Sequence, residues 1–502
     1  MKNRKIRIVK AIIFLFLLIT EFTLLTYLFR NADNYRATVT GIKSVETPID
    51  VVVVGGSECM TYYQPLRAYE EFGVASYNMS TDGLPTEAVR YYVEHANSYV
   101  HNKVVVVGVR TMLNWYGEID EGYIRNASDS FDLFSNCRFR LLNEYLNKRK
   151  SRDGKEVDVL SYFLDIAYYH DKKGVFSSSA NWSFIDNKGF SYDMGYERHS
   201  AVQNCERPSG EEFTDNKADI HPNIIEMADS IISYCNDEGI ELCFVVTPFC
   251  VTEDVLSRYN TFKEYVMGRG CVYLDMNEYY DDIGLDFSQD FYNGYHVNAG
   301  GAEKVTRFLS SYLKEQYNLS DRRNEDTEYW QPLLERFDRA EAEAQTQIKN
   351  NKQEEISLWE EANSLNRIDD VDSWIECVVK NPQLYCCIAV DAGAEVPEGM
   401  SKMGLTSLEN MMLPSFFISS GDTIQKSSLE GKDDDAFEFP IRSPYHDLKM
   451  EENEYGRISI IIDGKNYAAE GQGVHIVVYD YNFVGVVDSV CFTTWEDGSI
   501  HI

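Results

Sequence analysis

The sequence predicts a doubly wound α/β domain built on a parallel sheet, preceded by a transmembrane helix and followed by a mostly-β domain. Three observations point there. Residues 11–29 are an almost unbroken apolar run. Four Val/Ile-rich runs, IDVVVV (49–54), KVVVVG (103–108), ELCFVV (241–246) and CVYLDM (271–276), alternate with helical patterns. Such near-continuous apolar strands are buried on both faces, as in a parallel sheet covered by helices. After Trp374 the pattern changes to short alternating runs with turn signals. At 502 residues the chain exceeds what one core usually organises, so at least two folded domains are expected.

The apolar run comes first. It is about long enough to cross a bilayer as a helix, and Glu21 lies inside it. A central charge costs about 2.5–3.5 kcal/mol. The run's thirteen Ile, Leu and Phe residues return about 0.3–0.6 kcal/mol each, so insertion wins. Lys2, Arg4, Lys5, Arg7 and Lys10 precede the span and Arg30 follows it. The positive-inside rule then leaves residues 1–30 as a cytoplasmic stub and single-pass span, with the main domains extracytoplasmic at the cell membrane. A cleaved signal peptide is the competing reading, but the run is long for one and no A-x-A-like site follows.

Residues 31–47 read as a linker and 48–319 as the α/β domain. Doubly wound sheets place their sites beyond the carboxyl ends of the strands, which directs attention to Gly55-Gly56-Ser57 and to the residues after Gly108 and Val246. From about 111 to 219 irregular aromatic and polar sequence interrupts the alternation, with FDLFSNCRFRLLNEYL (131–146) reading as a helix. This insertion is either a lid or substrate wall, or a stabilising decoration.

Residues 320–372 form a charged helical connector, in which Trp330, Leu333, Leu334, Phe337, Ala340, Ala344 and Ile348 recur at helical spacing. The repeat is too short and irregular for heptads, so packing against a domain outweighs a coiled coil. The β-rich domain occupies 373–502 through CCIAVDAG (386–393), RISIIIDGKNY (457–467) and GVHIVVYDYNFVGVVDSVCFTTW (473–495), with Asp463-Gly464 as a hairpin turn.

Formal net charge is −34, which makes nucleic acid a poor partner and favours neutral or locally cationic glycans over strongly anionic polymers. The eleven cysteines follow no CxxC or Cys/His spacing, so neither a disulfide framework nor a metal site is read, and no cofactor motif is found.

The chemistry lies at two distant places. Gly55-Gly56-Ser57, directly after a buried strand, puts a hydroxyl at the sheet's carboxyl edge. Far downstream, DFYNGYHVNAGGAEK (290–304) sets His296 at a loop-to-helix junction, with Asn298 as the N-cap of a helix running from Ala299 to about Leu313. A histidine there can take the proton of a serine nucleophile, and a neighbouring acid or amide can fix its tautomer.

Together GGSE (55–58), SYNMSTDGLP (76–85) and DFYNGYHVNAGGAEK resemble the SGNH/GDSL hydrolase superfamily. With the anchor, they resemble most the membrane-bound branch that includes the teichoic-acid D-alanylation and alginate O-acetylation proteins. The resemblance spans about 48–319 and implies Ser57 as nucleophile and His296 as base. Its last block, D-x-x-H, corresponds to Asn293-Gly294-Tyr295-His296, so Asn293 stands where the family has its acid; Asp290 is the nearby carboxylate. Ser80 replaces the glycine of the second block, and no G-x-N-D follows the 104–107 strand, which continues GVRTMLN. The oxyanion hole implied is the backbone of Ser57 and Ser80, with Asn114 or Arg110 in place of the missing asparagine. A second resemblance, to the ILEI/PANDER-like domain, rests on SIIIDGKNYAAEGQGVHIVVYD (459–480) and VVDSVCFTTW (486–495), with YCCIAVDAGAEV (385–396) and GLTSLEN (404–410) in support. It implies a carbohydrate-recognition or protein-contact module, although Gln472-Gly473-Val474-His475 departs from the usual R-G-L-N.

The function expected is an extracytoplasmic esterase or O-acyltransferase acting on cell-surface carbohydrate through a Ser-His pair, with a membrane-bound acyltransferase as donor partner. The alternative is a non-catalytic, membrane-tethered glycan-binding or scaffold protein on a degenerate SGNH fold.

Overall fold

The computed structural model describes residues 2–29, 34–113, 121–153, 160–163, 192–208, 213–362, 365, 368, 370–381, 384–405, 414–420, 422–428, 439–440, 447–452, 458–462, 465–469, 471–480, 485–494 and 500–501. Asn114, most of GLTSLEN and the Asp463-Gly464 turn lie outside them.

A helix occupies Lys2–Phe29, and its Ile6–Leu25 stretch is long and apolar enough to cross a membrane. Thr20 and Thr23 return their hydroxyls to the carbonyls of Phe16 and Ile19, so neither polar group stays unsatisfied along the apolar surface. Within the expected linker, Asn34–Gly41 and Ile42–Ser44 are helical. Helix Asn34–Gly41 carries the buried Val39, and Tyr77 donates its hydroxyl to the Thr38 carbonyl at 2.7 Å.

The chain divides into two compact units. The first comprises 1–199, 208–286 and 295–345. It contains strands β1 (Val51–Val54), β2 (Ser76–Asn78), β3 (Val104–Gly108), β4 (Glu241–Val246) and β5 (Val272–Asp275), all parallel, in the order β2-β1-β3-β4-β5. Val51–Val54 pair in register with Val104–Val107, and both runs are buried. The valines therefore form the centre of the sheet, as their unbroken apolar character requires. Helix Thr86–Val100 packs against Pro222–Glu238, and Pro65–Phe72 against Ala299–Gln316. The helix expected from residue 131 starts later, at Asn136, and runs to Asp153. It packs on Thr86–Val100, so this part of the insertion thickens a helical layer.

The helix expected as a connector runs from Thr327 to Ala362, and its first half belongs to the first unit. Its apolar stripe explains why: Trp330 stacks on Tyr69 with centroids 4.0 Å apart, and Phe337 is fully buried. Glu341, also buried on this face, accepts from Gln64 Nε2 at 3.1 Å and Arg198 Nε at 2.5 Å.

The second unit comprises 200–207, 287–294 and 346–502. Its first two segments run together through Gln203 N to Phe291 O and Cys205 N to Phe287 O, both 2.8 Å. Here lies β6 (Phe291–Asn293); the two-residue β7 (His296–Val297) belongs to the first unit. The remaining strands are β8 (Leu384–Val390), β9 (Ser415–Ser420), β10 (Thr423–Ser428), β11 (Phe439–Pro440), β12 (Asp447–Glu452), β13 (Ile458–Ile462), β14 (Lys465–Asn466), β15 (Val474–Asp480), β16 (Gly485–Thr494) and β17 (Ile500–His501). They form two antiparallel sheets, β10-β9-β8-β15-β16-β17 and β11-β12-β13-β14. The Ile462–Lys465 pairing brackets the expected turn. Alternation divides the core in two. Ile476 and Val478 pack with Trp374 and Ile375 of helix Val371–Lys380, whereas Val477 and Tyr479 face Met450 and Ile460 of the smaller sheet. His475 is buried beside Asp391, its Nε2 3.2 Å from the carboxylate and its Nδ1 3.1 Å from the Ala469 carbonyl. Burial pulls its pKa down, but Asp391 and Cys491 more than offset this and raise it to about 9.

Candidate functional site

The strand order reverses between β1 and β3, and the crevice of a doubly wound sheet opens at that switch point. β1 delivers Gly55-Gly56-Ser57 there, and β3 delivers Gly108-Val109-Arg110. Ser57 begins a single helical turn, Ser57–Met60, closed by Met60 N to Gly56 O at 3.1 Å. It is half-buried, while Glu58, Cys59 and Met60 behind it are buried.

The glycines are there because other groups fill the space a side chain would need. A Cβ on Gly55 would meet Cys59 Sγ at 2.5 Å, one on Gly56 would meet Glu58 Oε2 at 2.5 Å, and one on Gly108 would meet Cys59 Sγ at 2.7 Å. Glu58 binds the two strand ends together. Its Oε1 accepts from Gly56 N at 3.3 Å and Thr111 N at 2.9 Å, and also from the Thr111 hydroxyl. Cys59 is a second nucleophile type at this turn. Burial, then the Glu58 charge, raise its pKa well above the usual thiol range, so it stays a neutral thiol.

The histidine arrives from the other end of the unit. Asn298 caps helix Ala299–Gln316, its Oδ1 accepting from Gly300 N at 3.1 Å and Gly301 N at 3.3 Å. Two donors fix the carbonyl of Tyr295 just before the histidine: Tyr62 Oη and Arg110 Nη1, each at 2.7 Å. The guanidinium of Arg110 lies 4.4 Å over the Phe249 ring and 5.7 Å from that of Tyr295. This seat places His296 Nε2 2.7 Å from Ser57 Oγ. Burial first, then the charges of Arg110 and His199, lower the His296 pKa to about 3. Burial disfavours the charged ring, and the Arg110 guanidinium adds to this. The ring is therefore neutral at ordinary pH. In the tautomer protonated at Nδ1, its Nε2 accepts the serine proton.

The other expected site residues are placed as follows. Ser80 is buried, and its backbone N–H donates to Asn78 Oδ1 at 3.2 Å. Asn78 Nδ2 in turn donates to the carbonyls of Cys59 and Tyr63, at 2.8 and 3.1 Å, so the second block braces the turn that carries Ser57. Asp290 is buried and Asn293 half-buried; both lie on 287–294 of the second unit. Sequence reasoning assigned no role to Glu58, Thr111 or Tyr62. The glutamate stood within GGSE, but its partner Thr111 follows a different strand, so only the pairing of β1 with β3 reveals the brace.

No family model matches this chain, and no curated protein matches it.

Proposed function

We propose that this protein is a membrane-anchored, outward-facing serine esterase or O-acyltransferase acting on cell-surface polysaccharide, with a membrane-bound acyltransferase as its donor partner when it transfers. The observation that carries this reading is the 2.7 Å approach of Ser57 Oγ to the neutral His296 Nε2 at the sheet's switch point. In the reaction, Ser57 Oγ bonds to the acyl carbon as His296 takes its proton. The tetrahedral adduct then expels the alcohol, which receives that proton, leaving an acyl-serine. Water or a sugar hydroxyl attacks the ester, His296 takes the second proton and returns it to the departing Ser57 oxygen. The motif resemblance and the excess of positive charge in the first turns of the Lys2–Phe29 helix, ahead of its apolar run, support the substrate class and the orientation.

One observation favours the non-catalytic, glycan-binding alternative: a histidine this weakly basic is a poor proton acceptor. Turnover decides between them. The purified protein should hydrolyse a small acyl ester and release acetate from surface glycans, and Ser57→Ala and His296→Ala should each lower the rate by about 10²–10⁴. Equal rates in wild type and Ser57→Ala would leave only the binding role.

A further inference from the structure

We infer that Arg110 is the electrophile of this site, its guanidinium stabilising the negative charge that develops on the acyl oxygen when Ser57 attacks. The inference rests on the esterase or acyltransferase reading. β1 and β3 are adjacent and in register up to Val54 and Val107, so the chains leaving them run side by side, one to Ser57 and one to Arg110. They are in close contact there: a Cβ on Gly108 would meet Glu58 Oε1 at 2.8 Å, and Glu58 binds both Gly56 and Thr111, the neighbours of Ser57 and Arg110. On its other side Arg110 holds the carbonyl of Tyr295, the residue before His296. The turn that carries Arg110 is thus tied to the turn of Ser57, and its side chain to the turn of His296.

Chemistry supports the role. The guanidinium is buried and packed over Phe249, so its charge acts with little screening by water. It is a permanent cation held in place before the reaction, which is what transition-state stabilisation requires. The Ser80 amide is engaged by Asn78 in this structure, so the second block's backbone does not by itself supply that charge. The same cation disfavours a protonated His296, keeping the base in its accepting form.

The test uses the full chain in detergent and a small neutral aryl acetate, whose acyl group offers no carboxylate for an arginine to bind. Arg110→Gln should lower kcat by about 10²-fold while changing KM by less than about threefold. Arg110→Lys should recover at least about tenfold of that loss. The acid limb of the rate profile should move upward in the glutamine variant and stay in the lysine variant. A raised KM with kcat intact would mean that Arg110 binds ground-state substrate, and equal damage in both variants would mean that it only packs; either overturns the inference. Should Arg110→Gln fail to fold, the lysine variant carries the test: folded and within about tenfold of wild type it supports the role, whereas folded and as inert as Ser57→Ala it overturns it. Failure of the parent reading looks different. A wild type that neither turns over nor labels at Ser57 removes both claims, whereas a labelled wild type whose glutamine variant turns over unchanged removes only this one.

Discussion

His296 shows how surroundings reshape a residue that sequence can only name. Its ordinary pKa of 6.5 falls to about 3 because burial and the nearby Arg110 and His199 disfavour the cation. The base form therefore persists through the range in which most histidines protonate. The acid limb of the esterase rate should lie nearer pH 3 than pH 6.5, read from kcat/KM against pH. Stability follows with the same sign. The unfolded chain takes up a proton near 6.5 and the folded chain resists until about 3, so this contribution is complete above 6.5 and is lost as pH falls through that interval. A weak base also limits turnover. Placing a carboxylate at the position the motif assigns to the acid should stabilise the imidazolium, so Asn293→Asp should raise turnover of a small ester by about tenfold or more and move the acid limb upward. Asp290→Ala should do less harm than His296→Ala. No gain from Asn293→Asp together with a severe loss from Asp290→Ala would make Asp290 the orienting acid.

At the scale of elements, the strand-end turns decide whether a serine and a histidine become a pair. Gly56 leaves room for the Glu58 carboxylate, which joins the turn after β1 to the turn after β3. Gly56→Ala would set a Cβ 2.5 Å from Glu58 Oε2 and 2.9 Å from Thr111 Oγ1, forcing the brace apart. We expect ester turnover to fall by at least about tenfold while the melting temperature drops by only a few degrees, as measured by kinetics and calorimetry. The same elements show what sequence can reveal. The valine runs of β1 and β3 and the Asn298 cap carry strong local signals, and each stands where its pattern put it. β2 is three residues long, Ser76–Asn78, too short for a hydrophobic period, and it was legible only as a motif block. The helix expected from Phe131 begins at Asn136 because Phe131 and Leu133 are buried from a turn instead, and apolar content alone does not separate the two. The stripe on Thr327–Ala362 announced a buried face but not its partner, since the contact with Tyr69 lies far away in sequence.

For the whole molecule, the central claim depends on long-range assembly. Ser57 and His296 are 239 positions apart, and the parallel sheet with its closing helix Ala299–Gln316 brings them within hydrogen-bonding distance. Motif resemblance suggested the pair and offered Arg110 beside it; the supporting contacts of Glu58, Thr111 and Tyr62 belong to tertiary structure and had no local signature. The separate antiparallel unit adds a buried Asp391–His475 pair at the position where its sequence departs from the R-G-L-N pattern. The most direct measurement is labelling of the full-length folded protein with a fluorophosphonate probe, with the adduct located by mass spectrometry. An activated pair predicts a single adduct on Ser57, lost in His296→Ala and on unfolding. A folded wild type left unlabelled at Ser57, or labelled equally after His296→Ala, would contradict the account.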